Sequence, residues 1–134
     1  MAQNSLRPLI SRIALVAYII LVGYLLFANL HNVPDIPRKI FGIDADKVVH
    51  FCLFFPFPIL GYLSCDNKNE NVVSFIGKML CILAIGGVFA GLTEIIQGLV
   101  PYRTEDVHDY AADMLSMAIA SIIVAILRLT RIRK

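Results

Sequence analysis

Charged residues are scarce in this chain. They make up 16% of its 134 residues, whereas 58% are hydrophobic; about a quarter of a typical soluble domain is charged. The sequence also lacks an internal repeat, a low-complexity tract and the dense basic face that nucleic-acid binding requires. This composition excludes an ordinary soluble domain and makes a nucleic-acid partner unexpected.

Several enzyme motifs are missing as well. The chain has no His-Glu-x-x-His motif for metal binding, no nucleophile motif around a Ser or Cys, and no glycine-rich loop for phosphate. Its cysteines, Cys52, Cys65 and Cys81, are odd in number and do not have the spacing of a metal site. We expect buried, unpaired thiols, and the motifs predict neither a metal nor a cofactor.

The hydrophobic residues fall in four blocks, each about as long as a helix that crosses a hydrocarbon core of about 30 Å. The blocks are 13–30, 48–65, 79–100 and 106–127, and they leave room for one domain only, 1–134. The first block exceeds a usual signal-peptide core, so we expect it to be retained. The sequence therefore predicts an all-α integral membrane bundle of four transmembrane helices. Because proline removes a backbone donor, we expect the second helix to be kinked at Pro56 and Pro58.

The positions of the basic residues predict the orientation of the bundle. With four spans, both termini lie on the same side. That side carries eight of the basic residues: Arg7, Arg12, Lys68, Lys78, Arg128, Arg131, Arg133 and Lys134. The other side carries four: Arg38, Lys39, Lys47 and Arg103. We therefore expect both termini to face the cytoplasm.

Polar residues at the ends of three spans are predicted to converge on the extracytoplasmic side. Charge in hydrocarbon is unfavourable by roughly 2.5–3.5 kcal/mol at the centre of a span, so buried acids need an explanation. Helical spacing places Asp106, Asp109 and Asp113 on one face of the fourth span. The predicted ligand-binding residues are Asp46, Lys47, His50, Glu94, Gln97, Arg103, Asp106, Asp109 and Asp113.

Structural roles are alternatives for the same residues. Asp106 or Thr104 would cap the fourth helix, and His50 alone would bond to a carbonyl group at the interface. Glu94 and Asp113 would form interhelical bonds to Arg103, which we expect to be the counter-charge of the site.

Small residues form stripes on two of the predicted spans. Gly87 and Gly91 make a GxxxG pattern on the third span, and Ala112, Ser116 and Ala120 repeat at the same spacing on the fourth. Such stripes allow close helix packing. They predict either contacts within one chain or a homo-oligomer, and the spacing does not choose between them.

The polar residues also resemble a known family. Asp46-Lys47 followed by His50, then Glu94-x-x-Gln97, then Pro101-x-Arg103 with Asp106, Asp109 and a polar residue at position 113 resembles the VanZ-like family. The similarity covers most of the chain from Ile36 onward. This chain has Asp113 where the family usually has Asn, and Ser116 where it usually has Gly.

The resemblance implies a multi-pass protein of the bacterial plasma membrane, related to proteins linked to susceptibility to teicoplanin and other glycopeptide antibiotics. Its partners would be membrane lipids and a lipid-linked cell-wall precursor. Arg103 would then pair with a phosphate or carboxylate of the ligand.

Two further functions stay open from the residues. The first is a small membrane enzyme that acts on a lipid-linked substrate by acid–base or metal-assisted hydrolysis or transfer, with His50, Glu94, Asp109 and Asp113 around a divalent ion. The second is an oligomeric proton-coupled carrier in which Glu94 and Asp113 titrate. We expect a binding protein before an enzyme.

Overall fold

The computed structural model describes residues 3–28, 39–65, 70–103 and 105–132. Within these ranges the helices are α1 (Gln3–Phe27), α2 (Ala45–Phe54), α3 (Pro56–Leu63), α4 (Val72–Gly98) and α5 (Val107–Ile132), and two short strands, β1 (Lys39–Ile40) and β2 (Ile43–Asp44), form a hairpin. Since α2 and α3 together make one span, four helical segments are long and apolar enough to cross a membrane. The prediction of four transmembrane helices is confirmed, and the chain is a multi-pass membrane protein.

The second span is broken at Phe55, directly before Pro56. The Phe55 amide still donates to the carbonyl of Phe51, at 3.1 Å. Pro56 and Pro58 have no N–H, so the carbonyls of Cys52 and Phe54 receive no bond from four residues further on. The predicted kink is confirmed, and its cause is this loss of two helical bonds.

The third and fourth spans extend beyond the predicted hydrophobic blocks. Helix α4 begins at Val72, where the side chain of Asn71 accepts a hydrogen bond from the Ser74 amide at 2.8 Å. It therefore includes Lys78, which directly precedes the hydrophobic block that begins at residue 79. Helix α5 likewise continues past the predicted end at residue 127 and includes Arg128.

Glu70 explains why both helices carry a basic residue beyond the apolar block. Its carboxylate lies 2.9 Å from Nζ of Lys78 and 3.2 Å from Nε of Arg128, and it accepts a hydrogen bond from Tyr62. The Arg128 guanidinium also lies over the ring of Phe75. Burial opposes ionisation of Glu70, but these donors and cations outweigh it and hold its pKa below the ordinary value. The cluster fixes the start of α4 against the end of α5.

The bundle is organised around α5, which packs against α2, α3 and α4, while α1 packs mainly against α3. The core is a set of apolar side chains from all four spans, including Val22, Leu26, Phe54, Phe57, Ile82 and Met117. Many other large apolar side chains, such as Ile20, Leu80 and Ile122, lie on the outside of the bundle. Such an exterior is the one expected of helices whose outer faces contact lipid. The cytoplasmic location of the termini stays a prediction.

Small residues on α4 allow the closest helix contacts. A Cβ atom at Gly86 would lie 2.5 Å from Sδ of Met117 and 2.9 Å from Cε1 of Phe57. Gly87 and Gly91 face Tyr110 and Met114 of α5 in the same chain. On α5, Ser116 and Ala120 are buried as well. These positions thus make contacts within the bundle, and a homo-oligomer through the two stripes stays a prediction.

The cysteines follow the expectation only in part. Cys52, Cys65 and Cys81 are all free thiols, as predicted. However, Cys52 and Cys81 are exposed, so the prediction that they are buried was wrong. Their side chains are on the outer surface of two spans, where an apolar sequence block does not distinguish a lipid-facing position from a core position.

A tight hairpin precedes α2. Lys39 pairs with Asp44 and Ile40 with Ile43, and the two turn residues, Phe41 and Gly42, have φ values of 51° and 82°. Positive φ at both central positions is the conformation of two-residue hairpin turns, which glycine adopts readily and phenylalanine rarely does. The hairpin sets the direction in which the chain enters α2.

Candidate functional site

Three helices bring polar residues together at one end of the bundle. Helices α2 and α5 begin there and α4 ends there, so the first two turns of α2, the first two turns of α5 and the last turns of α4 lie at similar depth. The buried polar residues at this end are His50, Glu94, Gln97, Asp109 and Asp113. They come from three helices that are distant in sequence, which is the convergence that the helical spacing predicted.

His50 is at the centre of the site and is 1% exposed. Its Nδ1 atom lies 3.1 Å from Oδ1 and 3.3 Å from Oδ2 of Asp113, a residue with no exposed surface. The same nitrogen lies 3.5 Å from Oε1 of Glu94. One imidazole therefore contacts two buried carboxylates, one from α5 and one from α4.

Several buried polar atoms in this site lack a hydrogen-bond partner among the described residues. They are Nε2 of His50, Oε1 of Glu94 and Oδ1 of Asp109. Buried polar groups in proteins are almost always paired, because an unpaired group loses the hydrogen bonds that water would give it. Three atoms without a hydrogen bond, on three different helices, indicate a site with unused capacity to bind a ligand, although Oδ1 of Asp109 also faces the Lys47 ammonium at 3.6 Å.

Lys47 lies above these buried groups, at the rim of the site. Its Nζ atom is 3.0 Å from Oδ2 of Asp106, 3.5 Å from Oδ2 of Asp44 and 3.6 Å from Oδ1 of Asp109. The ammonium group thus balances the carboxylates at the start of α5. Because it joins α2 to α5, it also closes one side of the site.

Asp106 both caps α5 and supports Glu94. Its Oδ1 atom accepts hydrogen bonds from the amide and the ring nitrogen of His108, both at 2.8 Å, so the predicted capping role of Asp106 is confirmed. The alternative cap, Thr104, lies outside the described residues. These bonds, together with the bond from Lys47, hold the pKa of Asp106 well below its ordinary value. The Asp106 amide donates to Oε2 of Glu94 at 3.1 Å, which leaves Oε1 directed at His50.

Arg103 does not have the partner that we expected. Its Nη1 atom lies 3.3 Å from Oδ1 of Asp46, a half-exposed side chain at the start of α2. Glu94 contacts the Asp106 amide and His50 instead, and Asp113 contacts His50. The expectation that Arg103 is the counter-charge of Glu94 and Asp113 was therefore wrong. Arg103 follows the turn after α4 and reaches only the outer edge of the site.

Gln97 is buried at the same end but is used differently. Its side-chain amide donates to the backbone carbonyl of Leu26 at 3.1 Å, in the last turn of α1. Nearby, the hydroxyl of Tyr102 donates to the carbonyl of Phe27. Both bonds satisfy carbonyls at a helix end that have no partner within the helix. The amide nitrogen of Gln97 thus fixes α1 against α4, whereas the other predicted site residues contact one another.

The sequence did not single out two contributors to the rim, Asp44 and His108. Asp44 is three residues before Lys47, and an acid at that spacing from a lysine is a recognisable signal for an ion pair. His108 follows Asp106 by two residues, a spacing at which a cap residue can accept its amide bond. The buried hydroxyls of Thr93 and Ser116, by contrast, donate to carbonyls of their own helices and do not enter the site.

The charges of the site are unbalanced. Among the described residues, six carboxylates contribute to it, whereas Lys47 and Arg103 are the lysine and arginine side chains, and both lie at the rim. The carboxylates are those of Asp44, Asp46, Glu94, Asp106, Asp109 and Asp113. Two sets of three side chains have possible metal-ligand atoms within 4.8 Å of one another: His50 with Glu94 and Asp113, and His50 with Asp46 and Asp109. The interior of the site therefore favours cations or hydrogen-bond donors.

Comparison with known proteins found a relative in yeast. The chain is similar to an uncharacterized protein of the fission yeast Schizosaccharomyces pombe, with 31% identity over 117 residues. The aligned region is 87% of this chain and 66% of the yeast protein, so about a third of that relative lies outside the similarity. No family model and no solved structure matches the chain. The similarity thus extends over most of the membrane bundle.

Proposed function

We propose that this chain is a VanZ-like membrane protein that binds the polar part of a lipid-linked ligand at the site formed by α2, α4 and α5. The observation that carries the proposal is the set of three buried polar atoms without hydrogen-bond partners, on His50, Glu94 and Asp109. A ligand that offers donors to these atoms would recover the hydrogen bonds that the folded chain leaves unmade. The proposal places the protein in the cell envelope, in a bacterial plasma membrane.

The rim supplies the contacts for an anionic group of the same ligand. Arg103 uses one of its five N–H donors on Asp46, at 3.3 Å, and Asp46 is half-exposed. An ion pair of this kind contributes about 0–1 kcal/mol, so a phosphate can displace Asp46 at little loss of stability. Arg103 presents a planar pair of donors that matches two phosphate oxygens. A molecule with a phosphate and hydroxyl groups, such as a lipid-linked cell-wall precursor, has the complementary chemistry.

The test is binding of a polyprenyl-diphosphate-linked sugar to the purified full chain, measured by native mass spectrometry, with phosphatidylglycerol as the comparison lipid. We expect preferential binding of the sugar-linked lipid, with a loss in Arg103→Gln and in Glu94→Gln. Arg12→Gln is the matched control, because Arg12 donates to the carbonyl of Ser64, at the opposite end of the second span from His50. In bacteria that express the chain, the same variants are compared for teicoplanin susceptibility. The proposal fails if Arg103→Gln and Glu94→Gln both leave lipid binding and susceptibility unchanged.

A second candidate is a membrane enzyme that uses His50 in acid–base chemistry. The observation that favours it is the contact between His50 and the fully buried Asp113, since a carboxylate that orients an imidazole is a common arrangement for a general base. The test is hydrolysis of a polyprenyl diphosphate, followed as phosphate release. Activity in the wild type that His50→Gln abolishes supports the enzyme, and a wild type that binds the lipid without turnover excludes it.

A further inference from the structure

The buried centre of the site has an excess of negative charge that the described residues do not neutralise. In the described part of the chain, Lys47 pairs with Asp44, Asp106 and Asp109, and Arg103 pairs with Asp46. Glu94 and Asp113 are thus left with one imidazole between them, although their side chains are only 9% and 0% exposed. Separating charge from water is costly unless an opposite charge lies close by. Among the described residues, the His50 imidazole is the one group at this centre that can carry such a charge, and it faces two carboxylates.

The distances at this centre match those between ligands of one metal ion. Nδ1 of His50 lies 3.1 Å from Oδ1 of Asp113 and 3.5 Å from Oε1 of Glu94. Two ligand atoms at about 2.1 Å from a tetrahedral ion are about 3.4 Å apart. The ligand atoms of the three residues all lie within 4.8 Å of one another. A single ion can therefore contact all three side chains with small movements.

Glu94 gives an independent indication of a ligand. Its Oε1 atom is buried, has no hydrogen-bond partner, and lies towards His50 because Oε2 accepts from the amide of Asp106. A carboxylate held by one oxygen, with the other oxygen unpaired and directed at an imidazole, is arranged as a metal ligand with an outer hydrogen bond that orients it. Neither helix capping nor packing explains this oxygen.

We propose that His50, Glu94 and Asp113 bind one divalent transition-metal ion of the Mn²⁺ or Zn²⁺ class. An imidazole nitrogen with two carboxylates suits these ions, whereas Mg²⁺ and Ca²⁺ prefer ligands that are all oxygen. The inference deepens the proposed function and rests on it for the role of the ion. With three protein ligands the ion keeps open positions, and its two positive charges neutralise the carboxylates of Glu94 and Asp113. Phosphate oxygens of a lipid-linked ligand would then be attracted where the carboxylates alone would repel them.

The experiment measures metal binding by the purified full chain in detergent, without any lipid ligand. The protein is stripped with a chelator and titrated with Mn²⁺, and the free ion is followed by electron paramagnetic resonance. We expect one Mn²⁺ per chain, displaced by Zn²⁺. Glu94→Gln and Asp113→Asn each weaken binding by more than about tenfold. Glu105→Gln, a change at an exposed glutamate near the same end of the bundle, is the control and retains wild-type affinity.

A spectroscopic measurement on the wild type covers the case in which a variant does not fold. Pulsed electron paramagnetic resonance of bound Mn²⁺ is expected to show coupling to an imidazole nitrogen, because His50 is the buried histidine of this site. The metal proposal is overturned if the wild type binds no Mn²⁺ or Zn²⁺, if bound Mn²⁺ shows no nitrogen coupling, or if folded Glu94→Gln and Asp113→Asn both keep wild-type affinity. Since no lipid is present, these results are separate from the lipid-binding test: a chain that binds the lipid but no metal keeps the proposed function and loses this inference.

Discussion

Asp113 and His50 are 63 residues apart in the sequence, yet Oδ1 of one lies 3.1 Å from Nδ1 of the other, and neither has more than 1% of its surface exposed. The contact joins α5 to the second span at the depth where Glu94 of α4 also reaches the imidazole. The centre of the candidate site and the packing of three helices thus depend on the same pair of side chains. Changes at this pair will affect both stability and ligand binding.

Removal of both members of this pair is expected to cost less stability than the sum of the two single removals. Asp113→Leu leaves the buried imidazole without its nearer carboxylate, and we expect this to lower the free energy of unfolding by about 3 kcal/mol. The double variant His50→Leu/Asp113→Leu is expected to lose less than the sum of the two single changes, because neither polar group is then left unpaired. The measurement is unfolding in mixed micelles with a denaturing detergent, in the presence of a chelator.

Ser116→Ala is the control for that cycle. Ser116 is as buried as Asp113, but its hydroxyl donates to the carbonyl of Asp113 in its own helix at 2.8 Å. We expect its loss to change the unfolding free energy by less than about 1 kcal/mol. Additive effects of the His50 and Asp113 changes would contradict the coupling that the structure predicts.

Gly86 is expected to be the glycine most sensitive to a methyl group. In Gly86→Ala the new Cβ would lie 2.5 Å from Sδ of Met117 and 2.9 Å from the ring of Phe57. The ring cannot move aside as freely as the methionine, so we expect destabilisation of about 1–3 kcal/mol. Gly77→Ala in the same helix is the control, because nothing lies within 4 Å of its Cβ position. Since alanine favours a helix over glycine, that variant is expected to be neutral or more stable; equal losses in both variants would contradict the packing argument.

Glu70 is expected to make stability depend on pH in the acidic range. A carboxyl group whose pKa is lower in the folded state stabilises the fold above its unfolded pKa, and this contribution is lost as the pH falls through the folded pKa. Lys78, Tyr62 and Arg128 hold the pKa of Glu70 below its ordinary value of 4.5, against the effect of burial. The wild type is therefore expected to be more stable than Glu70→Gln at pH 7, with a difference that shrinks as the pH falls below that value.

The measurement is thermal unfolding of both proteins at pH 7 and at pH 3, with Glu105→Gln as an exposed control that keeps the wild-type profile. A difference between wild type and Glu70→Gln that stays constant over this range, or grows towards low pH, would show that Glu70 is not held ionised by its neighbours.

The orientation of the bundle is open to a labelling experiment. In a background without the native cysteines, we expect Glu105→Cys to react with a membrane-impermeant maleimide added to intact cells, and Val72→Cys to react only after the membrane is opened. Both positions are exposed and lie at opposite ends of the bundle. The expected side follows from the excess of basic residues near the termini. The reverse pattern would place the His50 site on the cytoplasmic side.

The sequence by itself determined the number of spans and the end at which the polar residues meet. Block length and apolar composition suffice for the spans, since the thickness of the hydrocarbon core sets the length of a helix that crosses it. The break at Phe55 follows from two prolines that lack an N–H. Helical periodicity placed Asp109 and Asp113 on one face, and the alternation of spans brought that face to the level of His50 and Glu94. Block length, proline positions, helical periodicity and the alternation of spans can all be read directly from a single sequence.

The tertiary structure alone decided which polar groups pair. The sequence predicted Arg103 as the partner of Glu94 and Asp113, yet Arg103 pairs with Asp46. Lys47 instead forms ion pairs with Asp106 and Asp109 at the start of α5, and Gln97 donates a hydrogen bond to the end of α1. A pairing between helices depends on the rotation of each helix about its axis and on its vertical position, and an error of one residue in either moves a side chain by about 100° or 1.5 Å. An apolar block with small residues on several faces does not determine the rotation or the vertical position of its helix. The packing of α5 against α2 and α4 determines both, and it leaves two buried carboxylates facing one histidine.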